Sequence, residues 1–145
     1  MLALMAGSIM YPELILRSSV SIATSLVTSV NYLISISHND WDLHNLLISS
    51  DIVTDINIIK NFIEEKQHSN HSETVRVCIE NLSNTLSELE NNIKNITTKI
   101  EEHNKLWFYR FRSYNITKEK ASIPILIDQM RHRFDLLIKI SSNLS

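Results

Sequence analysis

Glycine is almost missing from this chain. One occurs in 145 residues, Gly7, beside two prolines, Pro12 and Pro124. Phosphate-cradling loops, the tight turns of dinucleotide-binding folds and the nucleophile elbows of hydrolases all place glycines at fixed positions. None follows residue 7, so those three enzyme classes are excluded together. Cysteine is equally scarce. The single Cys78 rules out a disulfide within the chain and favours a reducing, cytoplasmic setting. Charge is scarce at one end: residues 1–37 hold only Glu13 and Arg17. The formal net charge of −2 gives no broadly basic face, so no nucleic-acid partner is expected.

What is present is long helical periodicity. Few glycines and prolines between such segments predict an all-α chain, one domain over 1–145, folded as an antiparallel four-helix bundle with an extra short helix near 40–48. The first segment contains "SSVSIATSLVTSVNYLISIS" at 18–37, an uncharged run long enough to span a bilayer but rich in serine. Ile22, Leu26, Val30 and Leu33 share one face, and Val20, Val27 and Ile34 another. Two readings stand: a core helix with small residues for close packing, or a membrane-active helix. No basic stretch precedes it, so a cleaved signal peptide is not expected.

Asn39 is the expected N-cap of the short helix, with Asp40 and Asp42 in its first turn. The next helix is predicted over about 50–67, capped by Ser49, Ser50 or Asp51, with Ile52, Ile56, Ile59 and Ile63 on one face. Asn70 and Glu73 suggest a capping box for the helix after that. This third long helix has the clearest pattern. Val75, Ile79, Leu82, Leu86, Leu89, Ile93, Ile96 and Ile100 alternate spacings of four and three, and Trp107 continues the phase. A helix over 72–104 would be about 50 Å long. Its seam can pair within the chain or with a second copy. A last helix is predicted over about 122–142, with Ser122 as cap and Pro124 in the first turn.

No constellation of catalytic residues emerges. His68 and His71 lie three apart without a nearby carboxylate set, and the doublets Glu64–Glu65 and Glu101–Glu102 read as solvated helix faces. No enzyme activity, metal or cofactor is expected. The unusual stretch is "HNKLWFYRFRSYNITKEK" at 103–120. It holds half of the chain's aromatic residues, and Lys105, Arg110, Arg112, Lys118 and Lys120 stand against Glu119 alone. Those cations can satisfy the last carbonyls of the 72–104 helix, or form a basic rim for anionic lipid head groups.

From that stretch onward, "KLWFYRFRSYNITKEKASIPILIDQMRHRFDLLIKI" resembles the HeLo-type four-helix bundles, which include the N-terminal bundle of the necroptosis pseudokinase MLKL and related domains of plant immune receptors. A basic aromatic junction leads into a helix whose pattern places are filled by Ile123, Leu126, Ile127, Met130, Phe134, Asp135, Leu137 and Ile140. The resemblance implies a cell-death module that oligomerises and binds anionic membranes, such as phosphoinositide-containing ones. It implies lipid contact through Lys105, Arg110, Arg112, Lys118 and Lys120. It also implies a membrane-active helix over 14–37 carrying Leu14, Ile22, Leu26, Val30 and Leu33. Here that helix is rich in serine where fungal insertion helices carry glycines. The partners implied are anionic lipids or related helical bundles, the latter as a decoy acting on death signalling. The alternative is a structural protein self-associating through the 75–100 seam.

Overall fold

A computed structural model describes the backbone of residues 2–67, 71–106 and 114–143, with side chains described from residue 15 onward. The chain is all-helical, and no strand occurs among the described residues. Five helices follow in order: α1 (Leu2–Ile36), α2 (Trp41–Ser49), α3 (Ile52–Lys66), α4 (Glu73–Asn104) and α5 (Thr117–Asn143).

α4 is the spine. All eight seam residues from Val75 to Ile100 are buried, most of them completely. α1 packs on α4 through Leu16, Ala23, Leu26, Val30 and Leu33, and the same helix also meets α3. α5 covers α4 from the other side with Ile123, Leu126, Ile127, Met130 and Leu137. The seam is therefore consumed inside one chain. Trp107, expected to extend it, lies outside the described residues.

The helix starts show how local chemistry sets the boundaries. Asp40, one residue after the expected Asn39, caps α2: its Oδ1 accepts the Leu43 amide at 3.1 Å. Ser72 caps α4 by accepting the Val75 amide at 3.2 Å, where Asn70 was expected; Asn70 lies outside the described residues. Between α2 and α3 the chain reverses at Asp51, whose φ of 52° is left-handed. A residue of this type tolerates that region because its short polar side chain bonds locally. Here Asp51 Oδ1 accepts the Thr54 hydroxyl at 2.8 Å, so it steadies the turn but does not cap an α3 amide.

α5 begins five residues before the expected start. Asn115 Oδ1 accepts the Thr117 amide at 3.1 Å, and the Lys120 amide bonds the Ile116 carbonyl at 2.8 Å. Pro124 is thus inside the helix, not in its first turn. It sits on the exposed face of α5 and removes one backbone hydrogen bond from the helix. Ser122 does not cap; its hydroxyl donates to the Lys118 carbonyl at 3.0 Å.

Most buried polar groups at the helix contacts are paired, as their desolvation requires; Ser141 Oγ, near the end of α5, is buried without a partner among the described residues. Ser19 donates to the Ile15 carbonyl at 2.7 Å and also contacts Ser83 Oγ across the α1–α4 interface. Glu90 accepts Ser25 Oγ at 2.7 Å and pairs with Lys94 at 2.6 Å. Ser37 meets His44 Nδ1 at 3.1 Å. The α3–α5 side is closed differently. Phe62 and Phe134 meet edge to face at 5.5 Å, and Arg131 reaches both Asp55 and the Ser50 carbonyl at 2.6 Å.

Truncation at the centre of the seam has a defined cost. Leu86→Ala is expected to lower unfolding free energy by about 2–5 kcal/mol, because rigid neighbours on two helices keep the cavity open. Ile125→Ala, at a residue 60% exposed, is expected to cost within about 0.5 kcal/mol. Urea unfolding followed by circular dichroism measures both.

Candidate functional site

The ends of α1 and α4, the start of α2 and the start of α5 meet at one end of the molecule. The Glu101 carboxylate near the end of α4, acting first as a hydrogen-bond acceptor, holds the pKa of Tyr32 near the end of α1 above the usual tyrosine value. Lys120 at the start of α5 reaches Asp40 at the start of α2, at 3.1 and 3.2 Å to the two carboxylate oxygens. Lys99 of α4 pairs with Glu119 of α5 at 2.5 Å and donates to the Asn115 carbonyl at 3.2 Å. The His103 and Tyr114 rings meet at a tilt of 58° with centroids 4.8 Å apart. Burial, followed by the nearby Asp40 charge, raises the Tyr114 pKa.

This arrangement divides the five cations singled out in the sequence. Lys105 and Lys118 are exposed, and neither forms an ion pair among the described residues. Lys120 is only half exposed and ties α5 to α2. It is held by Asp40, a carboxylate distant in sequence that no local charge count could assign to it. Arg110 and Arg112 lie outside the described residues. In the fold, Lys120 therefore gains a counter-charge from Asp40, while the stretch's own Glu119 is taken by Lys99.

The helix expected to be membrane-active also divides into faces. Leu26, Val30 and Leu33 are fully buried, and Ile22 is half-buried against the core. The Leu14 side chain lies outside the described residues. The opposite face of α1 exposes Ser18, Ser21, Thr24, Thr28, Asn31 and Ser35. Several of these hydroxyls are turned back on their own helix: Thr24 donates to Val20 O at 2.9 Å, Thr28 to Thr24 O at 3.2 Å and Ser35 to Tyr32 O at 2.6 Å. By length and composition alone, Ile15–Ile36 is long and apolar enough to cross a membrane, a test that core helices also pass.

Sequence reasoning missed Asp40 as a partner and Trp41 as a surface feature. Trp41 is 73% exposed beside that ion pair. The fall of Trp41 outside the apolar phase of its own helix was the available signal, since Leu43 and Leu47 carry the buried face of α2. No group of three metal-ligating side chains occurs among the described residues. The grooves between helices are shallow and open; the one between α4 and α5 measures about 440 Å³ and is lined by Asn91, Asn92, Asn95 and Gln129.

Comparisons with protein-family models, with curated proteins and with solved structures give no match for this chain.

The Lys99–Glu119 tether gives a pH signature. A hydrogen bond from Lys99, then one from its own backbone amide, hold the Glu119 pKa below the usual glutamate value. A carboxylate depressed in the folded state contributes stability above its unfolded pKa of about 4.3 and loses it as pH falls through the folded value. Wild-type protein is expected to lose melting temperature faster than Glu119→Gln between about pH 5 and pH 3, read by thermal scans at stepped pH. Parallel curves would remove the tether from the account.

Proposed function

We propose that this chain is a non-enzymatic helical bundle that associates with anionic membranes, in the manner of the HeLo-type and MLKL-like cell-death bundles that its last 40 or so residues resemble. The proposed architecture is an antiparallel four-helix bundle. Ser19–Ser83, Ser25–Glu90 and Tyr32–Glu101 rise together in number, which supports a parallel course for α1 and α4. Lys99–Glu119 and Arg133 to the Asn81 carbonyl run in opposite order, which supports α5 returning along α4.

One observation carries the membrane reading: the outward face of α1. From Ser18 to Ser37 it bears no charge, and three of its exposed hydroxyls already donate to carbonyls of their own helix. A hydroxyl paired in this way costs less to move into an apolar medium than one that must lose water. Such a face is unusual for a helix with only water beside it, where charged side chains are the ordinary covering. It ends at the cation-bearing end of the molecule, where Lys105 and Lys118 are exposed. Near an anionic surface each such cation contributes about 1 kcal/mol. Cell-death signalling, whether by oligomerisation at the membrane or as a decoy for related bundles, is the biological role that accompanies this reading.

The test is cosedimentation with phosphatidylcholine vesicles containing phosphatidylserine or phosphoinositide. The quadruple variant Lys105→Glu, Arg110→Glu, Arg112→Glu, Lys118→Glu is expected to bind at least about tenfold more weakly than wild type, and wild-type binding is expected to fall with salt. Lys120 is left intact, because reversing it would break the Asp40 pair and confound binding with folding. Equal binding by the two proteins, or none by wild type, would contradict the proposal.

A further inference from the structure

The end that gathers α2 and α5 has less positive charge than its sequence suggests. Residues 38–42 and 99–120 together hold six cations and five carboxylates. Asp40 and Glu119 already sit in ion pairs with Lys120 and Lys99, while Asp42 and Glu102 are exposed, as Lys105 and Lys118 are. Electrostatic attraction from so balanced a set is weak and strongly screened at physiological salt. A lasting hold on a lipid surface at this end requires apolar contact.

The same end supplies it. Trp41 is 73% exposed, Tyr32 46% and Leu106 41%. A run of contacts connects them. Trp41 follows Asp40, which pairs with Lys120 and lies close enough to Tyr114 to raise its pKa. The Tyr114 ring meets that of His103 at a tilt, and the His103 carbonyl accepts the Leu106 amide at 3.1 Å. Tyr32 lies close enough to Glu101, half a turn before His103, for that carboxylate to raise its pKa. Tryptophan and tyrosine favour the head-group layer, where the ring is apolar and its N–H or O–H stays wet. The position of Trp41, the first residue of α2, leaves its ring outside the core formed by Leu43 and Leu47.

Resting on the membrane reading above, we propose that Trp41 is the apolar anchor of the lipid-docking surface, seated in the head-group layer with Tyr32 and Leu106 beside it and with Lys105 and Lys118 at its rim. The cations orient this end toward the bilayer; the ring holds it there. The occupant is an anionic lipid surface, chosen because the exposed Lys105 and Lys118 lie at the same end of the molecule as the exposed ring and because the uncharged face of α1 runs up to that end.

The test uses the full chain with Trp107→Phe, which leaves Trp41 as the sole tryptophan. Vesicles are phosphatidylcholine alone or phosphatidylcholine with 30% phosphatidylserine, a composition of about three anionic lipids in ten. The expected result is a blue shift of Trp41 emission and protection from acrylamide only with the anionic vesicles. Trp41→Ser in the otherwise wild-type chain is expected to weaken vesicle binding about tenfold, with unchanged far-ultraviolet circular dichroism. If wild type binds but Trp41 emission stays unshifted, or Trp41→Ser binds as tightly, the anchor is overturned while membrane association stands. If wild type binds no vesicle, both fall. Emission that shifts with protein concentration in the absence of vesicles also overturns the anchor, since it marks a surface between copies of the chain.

Discussion

Burial of the α4 seam by two helices of its own chain is the constraint on which the rest depends. Leu82, Leu86, Leu89, Ile93 and Ile96 are fully covered, and among the described residues no other helix has so long an unbroken apolar line. Removing one such side chain from water contributes roughly 1.5–3 kcal/mol. The seam therefore dictates where α1 and α5 lie. Their buried faces match it, and their outer faces are what remains for function. α1 keeps an uncharged hydroxyl-bearing face outside because Leu26, Val30 and Leu33 must face inward.

The polar contacts refine this packing instead of driving it. Ser19 with Ser83 and Ser25 with Glu90 are partners between α1 and α4 that satisfy groups which the apolar contact would otherwise strand. Lys120 with Asp40 and Arg131 with Asp55 pin α5 to α2 and α3, the side where helix contact is thinner. Exposed and half-exposed pairs of this type add little free energy singly. Their geometric effect is larger. They place the start of α2 against the start of α5, and so set Trp41, next to Asp40, at the end of the molecule where α5 begins.

Much of the helical layout was legible from spacing alone. α4 was expected over 72–104 and is Glu73–Asn104; α3 was expected over about 50–67 and is Ile52–Lys66. Both have regular apolar periods and polar starts, so local rules suffice. The start of α5 was missed because Pro124 reads as a first-turn signal, whereas the turn before it, Thr117–Lys120, has no apolar phase to announce a helix. It forms because Asn115 and Ile116 supply its first hydrogen-bond acceptors. The caps at Asp40 and Ser72 fell one and two residues from their expected positions, where several neighbouring side chains compete for the same role. At the candidate site, the exposure of Lys105 and Lys118 followed from chemistry. The capture of Lys120 did not, because its partner is 80 residues away and is brought close only by the fold.

The account depends on α4 being covered by its own chain, since a seam that served a second copy would release α1 or α5 and redraw every outer face described above. Sedimentation equilibrium of the lipid-free protein, from low micromolar to several hundred micromolar, tests this most directly. Intramolecular burial predicts one mass of 16.8 kDa throughout, with helicity independent of dilution. A mass that doubles with concentration and a helical signal that falls on dilution would contradict it.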